Sequence, residues 1–310
     1  MYNDLGLTNK VKKILIIGAG LFGAAIGLRL KRENEIYFYE VDKKRVYHWR
    51  EEGSFDFWED IKIPANFKIS TEMPEGKFDF LFLALPSKFL VESFEKFNNK
   101  SKTIVILSKG FDPDEKEFPY EIFSKKTTKE IVVFGGPDFA SEIARGGVFG
   151  ATLASSSSEA SEEVAKLFDE NFKAQIINDP LGVEFLGIAK NVAAIFMGYL
   201  KGKGKSQSEK MFYLTKMFDE IRQIGIKIGV KNETFFSLAG FGDFVLTTLS
   251  DKSRNKKLGF LISRGEQENF DETTEGVHSA KILLEIAQKN NLNTPLVAKT
   301  VDILSCCRYK

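Results

Sequence analysis

The sequence predicts an α/β protein, with a doubly wound parallel sheet over residues 1–180 and an all-helical domain over residues 181–310. Three observations carry this reading. Apolar, β-type runs alternate with amphipathic stretches of helix length through the first part. A glycine-rich turn joins the first run to the first helix. Beyond Asn178-Asp179-Pro180 the strand signals nearly vanish and helical periodicity takes over.

The predicted strands are Lys12–Ile17, Glu35–Glu40, Phe78–Leu83, Thr103–Leu107 and Glu130–Phe134, with a further one at Gln175–Ile177. They are continuously apolar rather than alternating, as strands covered on both faces should be. Helices are expected at Gly23–Glu33, Lys43–Glu52, Lys88–Phe97, Tyr120–Lys125, Asp138–Arg145 and Ser158–Asn171. Ser156 and Glu159 have the spacing of a capping box at the start of the last of these. The second domain reads as helices at Val183–Tyr199, Gln207–Ile224, Glu233–Leu238, Lys256–Arg264, Thr274–Lys289 and Pro295–Cys306. The lysine-rich segment around Gly202–Gly204 is the expected mobile loop.

Composition excludes some functions. A chain of 310 residues suits two domains, and 43% hydrophobic with 28% charged residues is ordinary for a soluble globular enzyme. A formal net charge of +1 supplies no global field for nucleic acid or an anionic membrane. Cys306 and Cys307 are adjacent, so they neither staple distant segments nor provide metal-ligand spacing, and no metal site is expected. Such sparse cysteine use fits a reducing cytoplasm. The apolar run Ile14–Leu30 holds four glycines and is followed at once by Lys31, Arg32 and Glu33, unlike a signal peptide or a membrane span.

The first strand runs directly into Gly18-Ala19-Gly20-Leu21-Phe22-Gly23, and a helix follows. Gly18 permits the tight turn, Gly20 lets the backbone approach a pyrophosphate, and Gly23 allows close helix–strand packing. The helix N-terminus then offers unpaired amides and a positive dipole end to the phosphates. This is the Rossmann fingerprint of a dinucleotide site. Glu40, at the end of the second strand, is placed to accept bonds from an adenosine ribose and to repel a 2′-phosphate. NAD is therefore favoured, while the neighbouring Lys43, Lys44 and Arg45 soften the preference and leave NADP open.

Ligands of such sheets collect beyond the carboxyl ends of the strands. Leu85-Pro86-Ser87, Ser108-Lys109-Gly110 and Gly135-Gly136-Pro137 lie there, and Lys109 is the one cation among them. On the helix from Val183, Gly187, Lys190 and Ala194 share a face, with Asn191 alongside. A lysine in that setting either snorkels to the rim or lines a cleft, where desolvation lowers its proton affinity toward the range of acid–base work. Asp243, just after Gly240-Phe241-Gly242, either orients such a lysine or caps a helix. Ser253-Arg254-Asn255 offers a guanidinium suited to bidentate grip on phosphate and an amide for substrate hydroxyls.

In this order, GAGLFG (Gly18–Gly23), LPSKF (Leu85–Phe89), SKGF (Ser108–Phe111), GGPDFASEIARG (Gly135–Gly146), GVEFLGIAKNVAAI (Gly182–Ile195), AGFGDFVLTT (Ala239–Thr248), SRNKKLG (Ser253–Gly259) and TTEGVHSAK (Thr273–Lys281) span nearly the whole chain. The chain resembles the bacterial-type NAD(P)-dependent sn-glycerol-3-phosphate dehydrogenases. That resemblance implies a Rossmann domain followed by a helical domain of the 6-phosphogluconate dehydrogenase type. The chemistry would be hydride transfer between a nicotinamide and carbon 2 of dihydroxyacetone phosphate. The resemblance makes Lys190 the general acid/base, supported by Asp243 and by Lys109, which also reaches the cofactor. It places Gly136, Asp138, Asn191, Ser253, Arg254 and Asn255 at the substrate, with Arg254 bridging to the cofactor. Leu21, Phe22, Phe89, Ala140 and Glu275 join the glycine turn as dinucleotide contacts. The implied partner is a small phosphorylated substrate, without nucleic acid or membrane insertion, and a homodimer is compatible with the family.

The sequence also departs from the family pattern. Leu21-Phe22 replaces the usual Ser-Trp pair, and Lys216-Met217 an Arg-Gly pair. Lys201–Ser208 lacks much of a glycine-rich loop and its Asp-Asn. Asp138 stands where a substrate-contacting serine is usual, and helix N-capping would be its bland role. Two other functions compete: a related dehydrogenase of another hydroxy or keto compound, and a catalytically silent NAD-binding sensor. The first lacks support from any Asp-x-Pro-x-Ser-Gly-Gly segment; the second does not account for Lys109, Lys190, Asp243 and Arg254 occurring together.

Overall fold

The computed structural model describes residues 11–112, 115, 117–266 and 275–305. The cysteine pair Cys306-Cys307 and the Thr273-Thr274 start of the last motif lie outside the described residues.

The first part runs β1 (Lys13–Ile17), α1 (Leu21–Arg29), β2 (Glu35–Tyr39), α2 (Lys43–Glu51), β3 (Ser54–Phe55), β4 (Trp58–Lys62), β5 (Phe67–Ser70), β6 (Phe78–Leu83), α3 (Leu90–Phe97) and β7 (Ser101–Ile106). It continues with α4 (Pro119–Lys126), β8 (Glu130–Gly135), α5 (Ala140–Ala144), β9 (Phe149–Ala154), α6 (Ser158–Ala165) and β10 (Phe172–Ile177). Eight strands form one sheet in the order β10-β9-β8-β7-β6-β1-β2-β5, and β3-β4 make a separate hairpin. Alternate residues of a strand enter cores on opposite faces: Ile14, Ile16, Phe80 and Phe82 on one, Leu15, Ile17, Leu81 and Leu83 on the other. That two-sided burial is why these strands read as continuous apolar runs. The strand order reverses between β1 and β6, and a crevice at such a switch point is where ligands of open α/β sheets bind.

Several local expectations are corrected. The sheet is not wholly parallel, since β9 runs antiparallel to β8 and β10 follows β9. Strands β5 and β9 escaped the sequence reading because one is a four-residue edge strand and the other, Phe-Gly-Ala-Thr-Leu-Ala, has little β-branched or bulky content. Helix α6 is capped by Ser157, not Ser156: Ser155 Oγ accepts the Ser157 amide at 3.2 Å, leaving the Ser157 hydroxyl to accept the Ala160 amide at 3.2 Å. Asp138 caps nothing, because Phe139 is extended and α5 begins only at Ala140.

Among the described residues, the helices of the second part are α7 (Pro180–Gly202), α8 (Gln207–Lys227), α9 (Asp243–Leu249), α10 (Arg254–Arg264), α11 (Glu275–Lys289) and α12 (Pro295–Ser305). Helix α7 is long and apolar enough to cross a bilayer, yet 94% of its apolar window is buried, so it is the axis of a protein core. Its Phe185, Ile188, Val192 and Ile195 join Met217, Ile221 and Ile224 of α8 and Leu258, Leu283 and Val297 of the later helices. Asp179 fixes where α7 starts, accepting from the Gly182 amide at 3.0 Å, the Lys231 amide at 2.9 Å and the Thr234 hydroxyl at 2.5 Å. The expected helix Glu233–Leu238 is instead a 3₁₀ turn, Asn232–Phe236, followed by a π turn, Leu238–Gly242.

Candidate active site

Three charged side chains converge from three parts of the chain. Lys109 follows β7, Lys190 lies midway along α7, and Asp243 opens α9 immediately after the π turn. Lys190 Nζ donates to Asp243 Oδ1 at 2.5 Å, and Lys109 Nζ donates to Asp243 Oδ2 at 2.9 Å. The Thr247 hydroxyl, one turn further along α9, donates to Oδ1 at 3.2 Å. Asp243 is therefore no helix N-cap: Gly242 holds that position, and the carboxylate is spent on the two ammonium groups. The small residue at Gly187 has a purpose here, since the Lys109 stem lies over it at about van der Waals distance, 3.5 Å from where a Cβ would be.

Sharing one carboxylate separates the two lysines. Burial lowers the proton affinity of Lys190 and Lys109 beside it lowers it further, so that despite Asp243 its pKa falls to about 8. Burial pulls Lys109 the same way, but Asp243 and Asp138 outweigh it and hold Lys109 above the ordinary lysine value. Burial would raise Asp243, but the two lysines keep it below the usual carboxylate range. One lysine is thus a fixed cation and the other can exchange its proton near neutral pH.

The switch-point crevice has the features of a dinucleotide cradle. Gly18 has a φ of 100°, and a Cβ there would lie 2.5 Å from the Ala84 carbonyl of the neighbouring strand end. At Gly20, by contrast, a Cβ would meet nothing within 4 Å, so the backbone faces open space. Helix α1 begins with no side-chain cap and no acidic residue in its first turn, leaving its amides available to phosphate. Glu40, buried, accepts the Ala19 amide at 2.9 Å and the Asp42 amide at 3.0 Å, with Arg45 3.5 Å away. The crevice connects to the lysines through Ser108, whose hydroxyl accepts the Leu85 amide at 3.0 Å and donates to the Leu83 carbonyl at 3.2 Å.

With this geometry established, comparison with known proteins assigns the family. The family models for the NAD-dependent glycerol-3-phosphate dehydrogenase N-terminus and C-terminus match residues 13–161 and 179–307. A glycerol-3-phosphate dehydrogenase (NAD(P)+) of Thermoanaerobacter sp. is 31% identical over 304 residues, covering 94% of this chain and 92% of that relative. The chain belongs to the NAD-dependent glycerol-3-phosphate dehydrogenase family. A relative of the same description from Legionella pneumophila is 29% identical over 92% of this chain and 90% of its own length. The crystal structure of glycerol-3-phosphate dehydrogenase from Coxiella burnetii superposes with a TM-score of 0.86 at 24% identity, covering 95% of this chain and 94% of that one. The Saccharomyces cerevisiae enzyme gives 0.80 at 18% identity, covering 97% of each, and these two likenesses establish the fold.

Around the lysine pair of this family member, the remaining expected residues fall into place unevenly. Ser253 Oγ is the N-cap of α10, accepting the Lys256 amide at 3.3 Å, and Arg254 and Asn255 open that helix. Asn255 Oδ1 is buried without a hydrogen-bond partner among the described residues, against Gly276 of α11. Asn191 is buried one residue beyond Lys190 and donates to the Gly187 carbonyl at 3.4 Å. Glu275 is raised by burial, against the Ser87 amide that it accepts and the cations Arg254, Lys109 and Lys190. Leu21 and Phe89 are exposed apolar side chains (51% and 44%), whereas Phe22 packs edge-on to Phe134 and Ala140 lies against the sheet core. Gly136 is packed rather than open: a Cβ would lie 2.7 Å from the Gly150 carbonyl.

Sequence reasoning missed the residues that hold the π turn. Thr152 of β9 accepts the Ala239 amide at 3.0 Å and donates to Gln175 Oε1 at 3.2 Å; Gln175 of β10 accepts the Leu238 amide at 2.8 Å. The two reversed strands thus set the position from which Asp243 departs. Thr152 lies in a strand without a clear sequence signal, and Gln175, read as the start of a strand, carries no sign of its contact with a turn far along the chain.

Proposed function

We propose that this chain is a glycerol-3-phosphate dehydrogenase that interconverts dihydroxyacetone phosphate and sn-glycerol 3-phosphate with NAD(P), NAD being the preferred coenzyme. Residues 1–180 hold the dinucleotide and residues 181–310 supply the proton and most of the substrate contacts. The observation that carries the reading is the single carboxylate of Asp243 held between Lys190 and Lys109 at 2.5 and 2.9 Å, Lys109 following β7 in the same sheet whose β1 leads into the glycine turn.

The bound dinucleotide supplies or accepts the hydride. Lys190 supplies the proton for the oxygen on carbon 2 during reduction and takes it back during oxidation, which its lowered proton affinity suits. Lys109 keeps its charge and stabilises negative charge developing on that oxygen. Asp243 orients both ammonium groups without reacting. Arg254, at the start of α10, grips the phosphate, and Asn191 and Asn255 turn amides toward the substrate hydroxyls. Leu21, Phe22, Phe89, Ala140 and Glu275 flank the dinucleotide, and Glu40 disfavours a 2′-phosphate by its charge. The absence of a carboxylate cap at α1 and the open face of Gly20 support the pyrophosphate position.

The test is NADH oxidation with dihydroxyacetone phosphate, set against NADPH and against unphosphorylated dihydroxyacetone. Turnover is expected only with the phosphorylated substrate, and faster with NADH. Equal turnover of the unphosphorylated compound would overturn the assignment of substrate.

A further inference from the structure

Thr152 and Gln175 are register partners across the β9–β10 pairing. The Thr152 hydroxyl donates to Gln175 Oε1 at 3.2 Å, and the two oxygens then accept consecutive amides of the π turn: Leu238 on Gln175 at 2.8 Å, Ala239 on Thr152 at 3.0 Å. Leu238 passes the constraint on, because its carbonyl accepts the amide of Asp243, the i→i+5 bond that defines a π turn. The intervening chain contains Gly240 and Gly242, which leave the backbone freer than residues with side chains would. Room for the turn is arranged as well. Gly135 of β8 is the register partner of Thr152 on its other side, and a Cβ there would lie 3.0 Å from that of Ala239 and 2.6 Å from Val183 Cγ1. Thr152 is fully buried, so its hydroxyl depends on these two partners.

What leaves the turn is the carboxylate shared by the two lysines at 2.5 and 2.9 Å. Hydrogen bonds of that length weaken steeply with distance and angle, so a small shift of the turn is felt at both ammonium groups. We propose that Thr152 is a positioning residue for the proton transfer: joined to Gln175, it clamps the π turn to the sheet and thereby keeps the Asp243 carboxylate on Lys190 and Lys109. The inference rests on the proposed dehydrogenase reading for the step that it serves. Thr152 acts through the backbone of the turn. Lys190 is faced by Asp243 from α9, Lys109 after β7, Asp138 after β8 and Glu275 from α11. Of these, Asp243 is the group that departs from the π turn. Loosening the turn therefore withdraws an anion from Lys190 and lowers its proton affinity.

The experiment measures kcat for dihydroxyacetone phosphate reduction at saturating NADH, from about pH 6 to about pH 10, in the wild type, Thr152→Val, Thr152→Ser and Gln175→Ala. NADH affinity is read by fluorescence on the same proteins. Competitive acetylation of Lys190, followed by mass spectrometry of its peptide over the same pH range, reports on the lysine without turnover. Thr152→Val keeps the shape and removes the hydroxyl. It is expected to cut kcat by about tenfold or more, and to move the reduction limb and the Lys190 acetylation profile to lower pH by about half a unit or more, with NADH affinity unchanged. Thr152→Ser is expected to restore both profiles. A Thr152→Val protein with lowered stability but unmoved limb and acetylation profile would reduce Thr152 to a tie between strand and turn and overturn the proposal. Thr152→Ser behaving like Thr152→Val would assign the effect to packing and overturn it as well. Should Thr152→Val fail to fold, Gln175→Ala, at an exposed position, carries the decision by the same shift. Absence of any turnover by the wild type would instead sink the dehydrogenase reading, and the acetylation profiles would still show whether Thr152 governs Lys190.

Discussion

Gly198 of α7 and Gly259 of α10 leave no space for a side chain between their helices: a Cβ on Gly198 would lie 1.9 Å from the Lys256 carbonyl, and one on Gly259 1.9 Å from the Ile195 carbonyl. This contact sets how α10 lies across the helix that carries Lys190 and Asn191. Because α10 begins at Arg254, the glycine contact also sets the distance between Arg254 and Lys190, the residues proposed to grip the phosphate and to exchange the proton.

Gly198→Ala should therefore force the two helices apart. Alanine gains about 1 kcal/mol of helix propensity, and overpacking costs about 1–3 kcal/mol, so the net change is expected to be destabilising. Urea unfolding reads the stability, and steady-state kinetics should show KM for the phosphorylated substrate rising more than KM for NADH. An unaltered midpoint and unaltered KM would show that the crossing relaxes without consequence.

The divided lysine pair gives a pH dependence with a definite sign. As proton donor in reduction, Lys190 has to be charged, so kcat should fall as pH rises through its pKa of about 8, and oxidation should show the opposite limb. Asp243 favours the charged form of Lys190, so Asp243→Asn should move the reduction limb to lower pH and cut kcat by about 10²-fold or more. A limb that stays in place in Asp243→Asn would show that the carboxylate does not govern this proton.

Glu40 holds the Ala19 amide, and its proposed second task, repelling a 2′-phosphate, is separable from the first. Glu40→Gln keeps an acceptor for the amide and removes the charge. The ratio of kcat/KM for NADH over NADPH should then fall by about tenfold or more. Glu40→Ala loses the anchor too and should weaken both coenzymes. An unchanged ratio in Glu40→Gln would remove Glu40 from coenzyme choice.

What the sequence made legible is what is local. The β1–turn–α1 unit can be read because strand, glycines and helix are contiguous, each glycine having its own steric reason. Lys190 was legible because a lysine among small residues on an apolar helix has few structural uses. Thr152 and Gln175 were not, because their importance comes from a strand reversal that brings β9 and β10 against a turn far along the chain. Asp138 read two ways, as a substrate residue or as a helix cap, because an aspartate just before a helix has the composition of a cap; the cap position falls on the extended Phe139 instead.

The most direct test of the account is the turnover of dihydroxyacetone phosphate by Lys190→Ala, with NADH affinity measured on the same protein by fluorescence. Turnover is expected to fall by about 10²–10⁴-fold while NADH binds as in the wild type. Wild-type turnover in Lys190→Ala would contradict the assignment of Lys190 as the acid/base.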